Sequence, residues 1–419
     1  MSRAMKDSGV PWLTDIPATW NVERGKAILV LQKRPVREED EVITCFRDGE
    51  VVLRSERRTE GFTMSDKEIG YQGINKGDIV IHGMDGFAGA MGVSKSTGKG
   101  SPVLVVCTPK YDAVPQFIIY YLRALAMTNV FVALATGIRE RSCDLRWNKI
   151  AELDFILPPA VEQQAIADFL DKKCSEIDEM VSLQEKIVEE LKAYKQSVIT
   201  EAVCKGLNPD VPMRDSGIEW ISKIPVGWET TRVKWLLEER KERSQKGEEE
   251  PLSMSQKLGL VPTKEMDIVP NMASTYEGAK LVYKGDLVFN KLKAHLGVFS
   301  TSRYVGLVSP DYAVYYGTGR ANVEYLEFLF KTPQCIGEFK KRITGVASGL
   351  SRLYTADLFS LYCPLPPIKE QEEIVSFLFR KRAEIDTLIS VRQAKIEALK
   401  EYKKSIIYEY ITGKKDING

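Results

Sequence analysis

The residues that could carry out acid–base or metal chemistry are few in this sequence. The chain has two histidines, His82 and His295, and no pair of cysteines or His/Cys cluster has the spacing of a metal site. The segment nearest to a phosphate-binding loop, Gly92 to Gly100, has one residue too many between its first two glycines and lacks the hydroxyl that should bind Mg²⁺. A flexible hairpin is the other interpretation of that segment. We therefore expect no catalytic residue, no metal and no cofactor bound by this chain.

Local clusters of basic residues are the other candidates: each alone is more often a solvated face than a site, but together they indicate a basic face on each half of the chain. Lys and Arg number 59 against 58 Asp and Glu, so the net charge is only +1 and any basic surface must be local. Both histidines follow an apolar KGD[IL]V segment, where an ordinary polar loop residue and a nucleic-acid contact are equal alternatives. The candidates for DNA contact are Lys33, Arg34, Arg57, Arg58, His82, Arg139, Arg141, Arg146, Lys241, Arg243, Lys291, Lys293, His295, Lys341, Arg342 and Arg352.

The elements that must position these residues occur twice, at a constant offset of 208 residues. MKDSGVPWLTDIPATW at Met5 matches MRDSGIEWISKIPVGW at Met213, and KGDIV at Lys76 matches KGDLV at Lys284. A fixed period of this kind indicates tandem duplication. Apolar segments bounded by Gly and Pro read as strands, and others have helical spacing, so each half is predicted to hold a mixed α/β globular part.

A long helix is predicted at the end of each half. LPPAVEQQ at Leu157 and LPPIKEQE at Leu365 each open a stretch without further Gly or Pro, long enough for a helix of roughly 65 Å at ~1.5 Å per residue. Apolar residues recur there in heptads, which favours a helix that packs on a partner. The predicted seam residues are Leu170, Ile177, Met180, Ile187, Leu191, Tyr194 and Val198 in the first helix, and Leu378, Ile385, Leu388, Leu399, Tyr402 and Ile406 in the second.

The short linker between the halves predicts that the two helices are antiparallel. Residues 206–212 reach at most about 25 Å when extended, which is too short to return along the first helix. The predicted fold is therefore mixed α/β, with two globular domains joined by two long antiparallel helices in a coiled coil with pseudo-two-fold symmetry. The second helix should then end near the MKDSG segment, with the chain termini close together. The predicted bounds are 1–158 and 207–366 for the globular domains, 159–206 and 367–412 for the helices, and 413–419 for a tail.

Composition predicts the compartment. There is no apolar run long enough to span a bilayer and no signal-peptide core at the start, and the seven cysteines are scattered. Scattered cysteines, odd in number, favour reduced thiols. We expect a cytoplasmic protein without a membrane partner.

These motifs together resemble the specificity subunit of type I restriction–modification systems. The resemblance is carried by the DSG-x₂-W-x₃-IP-x₂-W openings at Asp7 and Asp215, by the KGD[IL]V segments, and by the two LPP-headed helices with Glu162-Gln163 and Glu370-Gln371. It covers nearly the whole chain, in order and in duplicate.

The resemblance implies a non-catalytic subunit that binds double-stranded DNA. Its globular parts would be target-recognition domains, each binding half of a bipartite site, and its helices would set the spacing. Two methylation subunits would bring S-adenosylmethionine, and restriction subunits would bring ATP and Mg. The alternatives are a helical scaffold with two protein-binding heads and no DNA, and an enzyme of another kind.

Overall fold

A computed structural model of the chain describes residues 3–57, 69–134, 144–256, 258–266, 275–343 and 352–417. The chain divides into two compact units. The first unit consists of Met1–Glu185 with Ala394–Gly419, and the second unit consists of Lys186–Gln393. The second unit therefore spans one repeat period: the end of one long helix, a globular part and the start of the other long helix. The first unit contains the equivalent segments, but its globular part comes first in the chain.

The first unit contains twelve strands and five short helices among its described residues, followed by the start of a long helix. Its strands are β1 (Met5–Val10), β2 (Leu13–Pro17), β3 (Asn21–Arg24), β4 (Leu29–Leu31), β5 (Ile43–Cys45), β6 (Val51–Leu53), β7 (Gln72–Ile74), β8 (Ile79–His82), β9 (Met91–Val93), β10 (Gly98–Gly100), β11 (Leu104–Pro109) and β12 (Asp154–Leu157). Its helices are α1 (Gly25–Ile28), α2 (Arg54–Arg57), α3 (Pro115–Met127), α4 (Val130–Ala133), α5 (Trp147–Glu152) and the long α6 (Ala160–Lys205), which continues into the second unit.

The second unit repeats this order. Its strands are β13 (Met213–Ile218), β14 (Ile221–Pro225), β15 (Glu229–Arg232), β16 (Leu237–Glu239), β17 (Leu252–Ser255), β18 (Gly259–Pro262), β19 (Lys280–Val282), β20 (Leu287–Asn290), β21 (Phe299–Thr301), β22 (Gly306–Val308), β23 (Tyr312–Gly317) and β24 (Tyr362–Leu365). Its helices are α7 (Val323–Phe330), α8 (Pro333–Arg342), α9 (Thr355–Ser360) and the long α10 (Ile368–Ile411), which ends in the first unit.

Each unit contains the same four-stranded antiparallel sheet. Its strand order is β4-β11-β8-β9 in the first unit and β16-β23-β20-β21 in the second. The central strands are buried and apolar, as expected for strands covered on both faces. In each unit the strand before the long helix pairs with a strand near the start of the unit, β12 with β3 and β24 with β15. This pairing holds each helix start beside the opening hairpin.

The segment that resembles a phosphate-binding loop has another structure. Gly92 lies in β9 and Gly98 begins β10, so the segment joins two strands. A phosphate-binding loop leads into a helix, whose N-terminal N–H groups bind the phosphates. The segment is not a hairpin either, because β9 pairs with β8 and β10 pairs with β7, so both interpretations from the sequence are wrong.

The ends of both long helices are marked by the same local sequence signals. Each follows a proline pair, has a glutamate in its first turn, and is followed by a glycine with left-handed backbone, Gly206 (φ +81°) or Gly413 (φ +71°). Glycine adopts this conformation without the steric cost that a Cβ imposes. The two helices begin and end within two residues of the predicted bounds.

Within each unit the two helices run antiparallel. In the first unit Phe169 packs against Tyr410 with ring centroids 4.5 Å apart and the rings tilted by 40°, and Asp178 pairs with Lys403 at 2.6 Å. The contacts advance along α6 while they retreat along α10. As predicted, α10 ends beside the first hairpin, because Gly413 lies against Pro17.

One of the two seam positions is occupied as predicted. Leu170, Ile177, Leu378, Ile385 and Ile406 are all buried. Gln184 shares this position and is also buried, and Leu191, Val198 and Leu399 are half-buried there.

The prediction for the second seam position is wrong by one residue. Met180, Tyr194, Leu388 and Tyr402 are exposed, and Ile187 is half-buried. The buried residues at this position are Ala167, Cys174, Val188, Val375, Ile389 and Ile396. They follow the first position by four residues, whereas the prediction placed them three residues after it. Neighbouring apolar residues such as Ile374 and Val375 make both registers plausible in the sequence, since residues three and four apart share a helix face.

The corrected register explains the lysines in the long helices. Lys395 is exposed, and its neighbour Ile396 is the buried residue. Lys195 and Lys403 occupy the second seam position, and they pair with Asp386 and Asp178 respectively, both at 2.6 Å. Among the described residues, no helix is both long enough and apolar enough to cross a membrane.

Candidate nucleic-acid interface

The first turn of each long helix is fixed by a tryptophan of the globular part. The Trp20 indole N–H donates to Glu162 at 3.1 Å, and the Trp228 indole N–H donates to Glu370 at 3.0 Å. Both tryptophans are fully or almost fully buried. Arg3 also pairs with Glu162 at 2.5 Å. Buried indole N–H groups require a partner, and these carboxylates supply it.

The glutamine that follows each glutamate completes the junction. Gln163 Oε1 accepts from the Val114 N–H at 2.9 Å, and Gln371 Oε1 accepts from the Asn322 N–H at 2.7 Å. Each side-chain amide also donates to the carbonyl of the first proline of the pair, at 2.8 Å and 2.7 Å. The motif that begins each helix therefore joins the helix to its globular part.

The aspartate of each KGD[IL]V segment is buried and structural. Asp78 pairs with Arg34 and Asp286 pairs with Arg240, with nitrogen–oxygen distances of 3.2 Å and 2.7 Å. Each carboxylate also accepts the N–H of the residue three before it, at 2.7 Å and 2.8 Å. Arg34, a candidate for DNA contact, thus stabilises the fold.

The remaining candidates for DNA contact differ in whether their side chains already have an ion-pair or hydrogen-bond partner within the chain. Arg57 pairs with Asp48 and Glu50, Arg146 with Asp144, Arg243 with the Gly278 carbonyl, Lys341 and Arg342 with Glu338, and Arg352 with Asp311. Lys33 and Lys241 are exposed. Arg58, Arg139 and Arg141 lie outside the described residues.

The two histidines occupy turns of similar position but have different surroundings. His82 Nδ1 accepts the Asp85 N–H at 3.0 Å, and burial lowers the pKa of His82 below its ordinary value. His295 Nδ1 is buried and has no hydrogen-bond partner among the described residues. His82 thus has a local role in its turn, and His295 does not.

Four cations of the second unit lie on three adjoining segments; we name Lys291, Lys293, Lys340 and Arg352 the cationic surface. Lys291 and Lys293 follow β20, and the short turn after them packs on α8, whose last turn holds Lys340. Arg352 is held nearby, because the Leu353 N–H donates to the Lys291 carbonyl at 3.0 Å. Within the described part of the chain, none of the three lysines has an ion-pair partner.

The first unit has the same backbone hydrogen bond at this place, but acidic residues replace two of the cations. Its Leu145 N–H donates to the Gly83 carbonyl at 2.8 Å, which is the repeat equivalent of the Leu353–Lys291 bond. The four equivalents of the cationic surface are Gly83, Asp85, Val132 and Asp144. Asp85 and Asp144 pair with arginines at 2.8 Å and 2.9 Å.

Within the cationic surface, Lys291 lies near other positive charges. The pKa of Lys291 lies below the ordinary lysine value, first because of burial and second because of the nearby Lys280, with Arg352 contributing; Glu239 and Asp311 oppose the shift. An anion bound there would relieve this repulsion. The sequence-based list omitted Lys280 and Lys340, although alignment of the halves shows that Val132 replaces Lys340. Among the described residues, no cluster of His, Cys, Asp and Glu could hold a metal ion.

Comparison with known proteins finds type I restriction–modification proteins in both sequence and structure. No family model matches the chain. The MjaX type I restriction enzyme specificity subunit of Methanocaldococcus jannaschii is 24% identical over 84% of this chain and 76% of that protein. The EcoKI type I restriction enzyme specificity subunit of Escherichia coli K12 is 25% identical over 65% of this chain and 59% of that protein.

The chain resembles type I restriction specificity subunits. Two solved structures share the fold of this chain. A chain from a type I restriction–modification complex aligns over 95% of this chain and 99% of its own length, with a TM-score of 0.71 and 14% identity. The HsdS subunit of Thermoanaerobacter tengcongensis aligns over 95% and 98%, with a TM-score of 0.56 and 15% identity. The family resemblance predicted from the sequence is confirmed, as is the mixed helix and strand fold.

Proposed function

We propose that this chain is the DNA-recognition subunit of a type I restriction–modification system and performs no catalysis itself. Its two units would each bind one half of a bipartite, non-contiguous DNA target. The chain would direct methylation and restriction subunits to that target.

The observation that carries this proposal is the combination of one repeated framework with two different surfaces. The tryptophan–glutamate and aspartate–arginine contacts recur in both units, whereas the turn after β8 and the turn after β20 differ in charge. Two readers of different DNA sequences need this arrangement, because base contacts specify while the framework only positions them. The curated relatives are specificity subunits of restriction enzymes.

The long helices would set the spacing between the two half-sites. A helix of 46 residues, the length of α6, is about 69 Å long at ~1.5 Å per residue. One turn of duplex DNA is about 34 Å. An unread spacer between the half-sites follows, and binding would be strong only when both half-sites are correctly spaced.

Exposed apolar side chains on the helices supply candidate docking surfaces for the methylation subunits. In the first unit Met180, Leu183 and Tyr402 are 43%, 56% and 53% exposed. Their repeat equivalents in the second unit are Leu388, Val391 and Tyr194, at 48%, 59% and 56%. Adjacent exposed apolar residues mark interaction sites. Two equivalent surfaces fit two methylation subunits, one on each unit.

The partners would bring the chemistry. S-adenosylmethionine would bind to the methylation subunits, and ATP and Mg to the restriction subunits. This chain would contribute the DNA target, the spacing and the docking surfaces.

The test is the methylation pattern of genomic DNA from cells that express this chain with its cognate methylation subunit, read by single-molecule sequencing. We expect one adenine-methylated motif with two specified parts and a spacer of fixed length. Insertion of one helical turn at equivalent positions of α6 and α10 should change the spacer and leave both half-sites unchanged.

Two results would reject the proposal. One is an assembled, soluble complex that adds no new methylated motif, which would favour the helical scaffold. The other is a helix insertion that changes the half-site bases. A matched control carries the Glu190→Ala substitution, an exposed position of α6 outside the docking surfaces, which leaves the helix length unaltered.

A further inference from the structure

The cationic surface of the second unit is built into the fold. The Leu353–Lys291 backbone bond ties the segment of Arg352 to the turn that holds Lys291 and Lys293, and that turn packs on α8. Long, exposed lysines usually point freely into solvent. Here four cations are carried by three adjoining segments of the chain, and among the described residues only Arg352 has a carboxylate partner, Asp311 at 3.5 Å.

We propose that the cationic surface binds the phosphate backbone of duplex DNA and that the first unit has no such contact at the equivalent place. The two units would therefore contribute unequally to the electrostatic part of DNA binding. This inference rests on the proposed DNA-recognition function, which it deepens by assigning the backbone contact to particular residues.

Duplex DNA is the occupant that fits the charge of this surface. The chain as a whole carries a net charge of +1, so general attraction to a polyanion is weak and a local contact must supply it. Lysine binds phosphate as a point charge, without the planar geometry that a single base edge requires. The three lysines without ion-pair partners in the described chain are therefore suited to a phosphate row.

The first unit must bind DNA through other residues. Asp85 and Asp144 stand where Lys293 and Arg352 stand in the second unit, and a carboxylate repels phosphate. Their arginine partners leave this place with little net charge. Loss of the cationic surface should consequently weaken the binding of DNA without changing which bases the first unit reads.

The experiment measures the affinity of the purified full-length chain for a 40-base-pair duplex of mixed sequence by fluorescence anisotropy, between 50 and 200 mM KCl. Each phosphate contact contributes about 0.9 to the slope of log affinity against log salt concentration. The double variant Lys291→Gln/Lys293→Gln should therefore lower the magnitude of this slope by about 2.

A matched control removes the same charge elsewhere in the second unit. Lys284 and Lys246 are exposed, and Lys284 precedes β20 while Lys291 follows it. The double variant Lys284→Gln/Lys246→Gln should leave the slope unchanged. The variant Lys291→Arg/Lys293→Arg, which keeps both charges, should bind as the unaltered chain does.

The possible failures are distinguishable. If the unaltered chain binds no duplex at 50 mM KCl, the proposed DNA-recognition function fails for the isolated chain. If the unaltered chain binds and Lys291→Gln/Lys293→Gln keeps the full slope, or loses no more than the control does, only the assignment of the cationic surface is overturned. Circular dichroism of each variant establishes that a lost slope does not reflect unfolding.

Discussion

The turns that follow β8 and β20 have the same backbone frame and opposite chemistry. In the first unit the turn satisfies its own polar groups, since His82 accepts the Asp85 N–H and Asp85 pairs with Arg47. In the second unit Asn290 accepts the Leu292 N–H at 3.1 Å, and the lysines of that turn have no ion-pair partner in the described chain. Backbone hydrogen bonds and the sheet fix the frame, so the exposed side chains of the turn can change charge without loss of the fold.

At the junctions between the globular parts and the long helices, by contrast, the two units have the same contacts. Trp20 with Glu162 and Trp228 with Glu370 have donor–acceptor distances within 0.1 Å of each other. Burial leaves little freedom there, because a changed indole or carboxylate would leave an unsatisfied polar group or a cavity. The comparison thus separates framework residues, which the two units share, from surface residues, which differ between them.

The largest expected effect concerns the docking surfaces on the helices. Leu183→Glu should abolish binding of the methylation subunit to the first unit, and Val391→Glu should abolish it on the second, because each places a charge in an apolar contact. Native mass spectrometry should find one methylation subunit per chain in each variant and two in the unaltered chain. Glu185→Lys, about 200° around the helix from Leu183, is the control and should keep two. Loss of both subunits in either single variant would show that the two surfaces are not independent.

The junction tryptophans should show equal effects on stability. Trp20→Ala and Trp228→Ala should each lower the free energy of unfolding by about 3–5 kcal/mol, the usual cost of removing a buried tryptophan side chain. Urea denaturation followed by circular dichroism measures this. Trp235, which is 55% exposed, provides the control and should cost less than about 1 kcal/mol on replacement by alanine. A difference of more than about 2 kcal/mol between the two buried sites would contradict equivalence of the frameworks.

The charge contrast can be reduced by one substitution in the first unit. Asp144→Arg introduces there the equivalent of Arg352, and it should raise the salt slope of duplex binding by about 1. Asp112→Arg serves as the control, since Asp112 is exposed beyond the far end of β11. Equal gains from both substitutions would mean that position on the first unit does not matter.

The pH dependence of duplex binding should report on Lys291. Its pKa lies below the ordinary lysine value, so as the pH rises Lys291 loses its proton, and its phosphate contact, earlier than an ordinary lysine does. As the pH rises, affinity should therefore begin to decline at a lower pH in the unaltered chain than in Lys291→Arg, which stays charged. Anisotropy titrations between pH 7 and pH 10 compare the two, and coincident profiles would remove Lys291 from the contact.

The smallest effect tests the corrected helix seam. Met180→Ala should change the free energy of unfolding by less than about 0.5 kcal/mol, because the side chain is exposed. Ile177→Ala, at a buried position one turn earlier, should cost about 2–5 kcal/mol. The repeat equivalents Leu388 and Ile385 should behave in the same way. A cost above about 2 kcal/mol at Met180 would restore the register predicted from the sequence.

Much of the site could be anticipated from residue types, and the exceptions are instructive. Lys291, Lys293 and Arg352 were all predicted as DNA contacts, and the structure adds that Arg352 is held near Lys291 and that the turn after Lys293 packs on the helix of Lys340. Arg34 had the same local appearance as Lys33, yet its guanidinium pairs with Asp78, 44 residues later in the chain. A long-range ion pair of this kind leaves no trace in local spacing, so sequence patterns alone could not separate the two residues.

The sequence by itself determined the repeat, the two long helices and their ends, because proline pairs, glycines and heptad periodicity act through neighbouring residues. It also determined the antiparallel direction, through the length of one short linker. Only the tertiary structure decided which seam register is buried and which arginines pair with buried aspartates. It also decided which cations are carried by adjoining segments that are distant in the sequence. Those features depend on contacts between segments far apart in the chain, whose energies are set by packing and burial and not by local propensity.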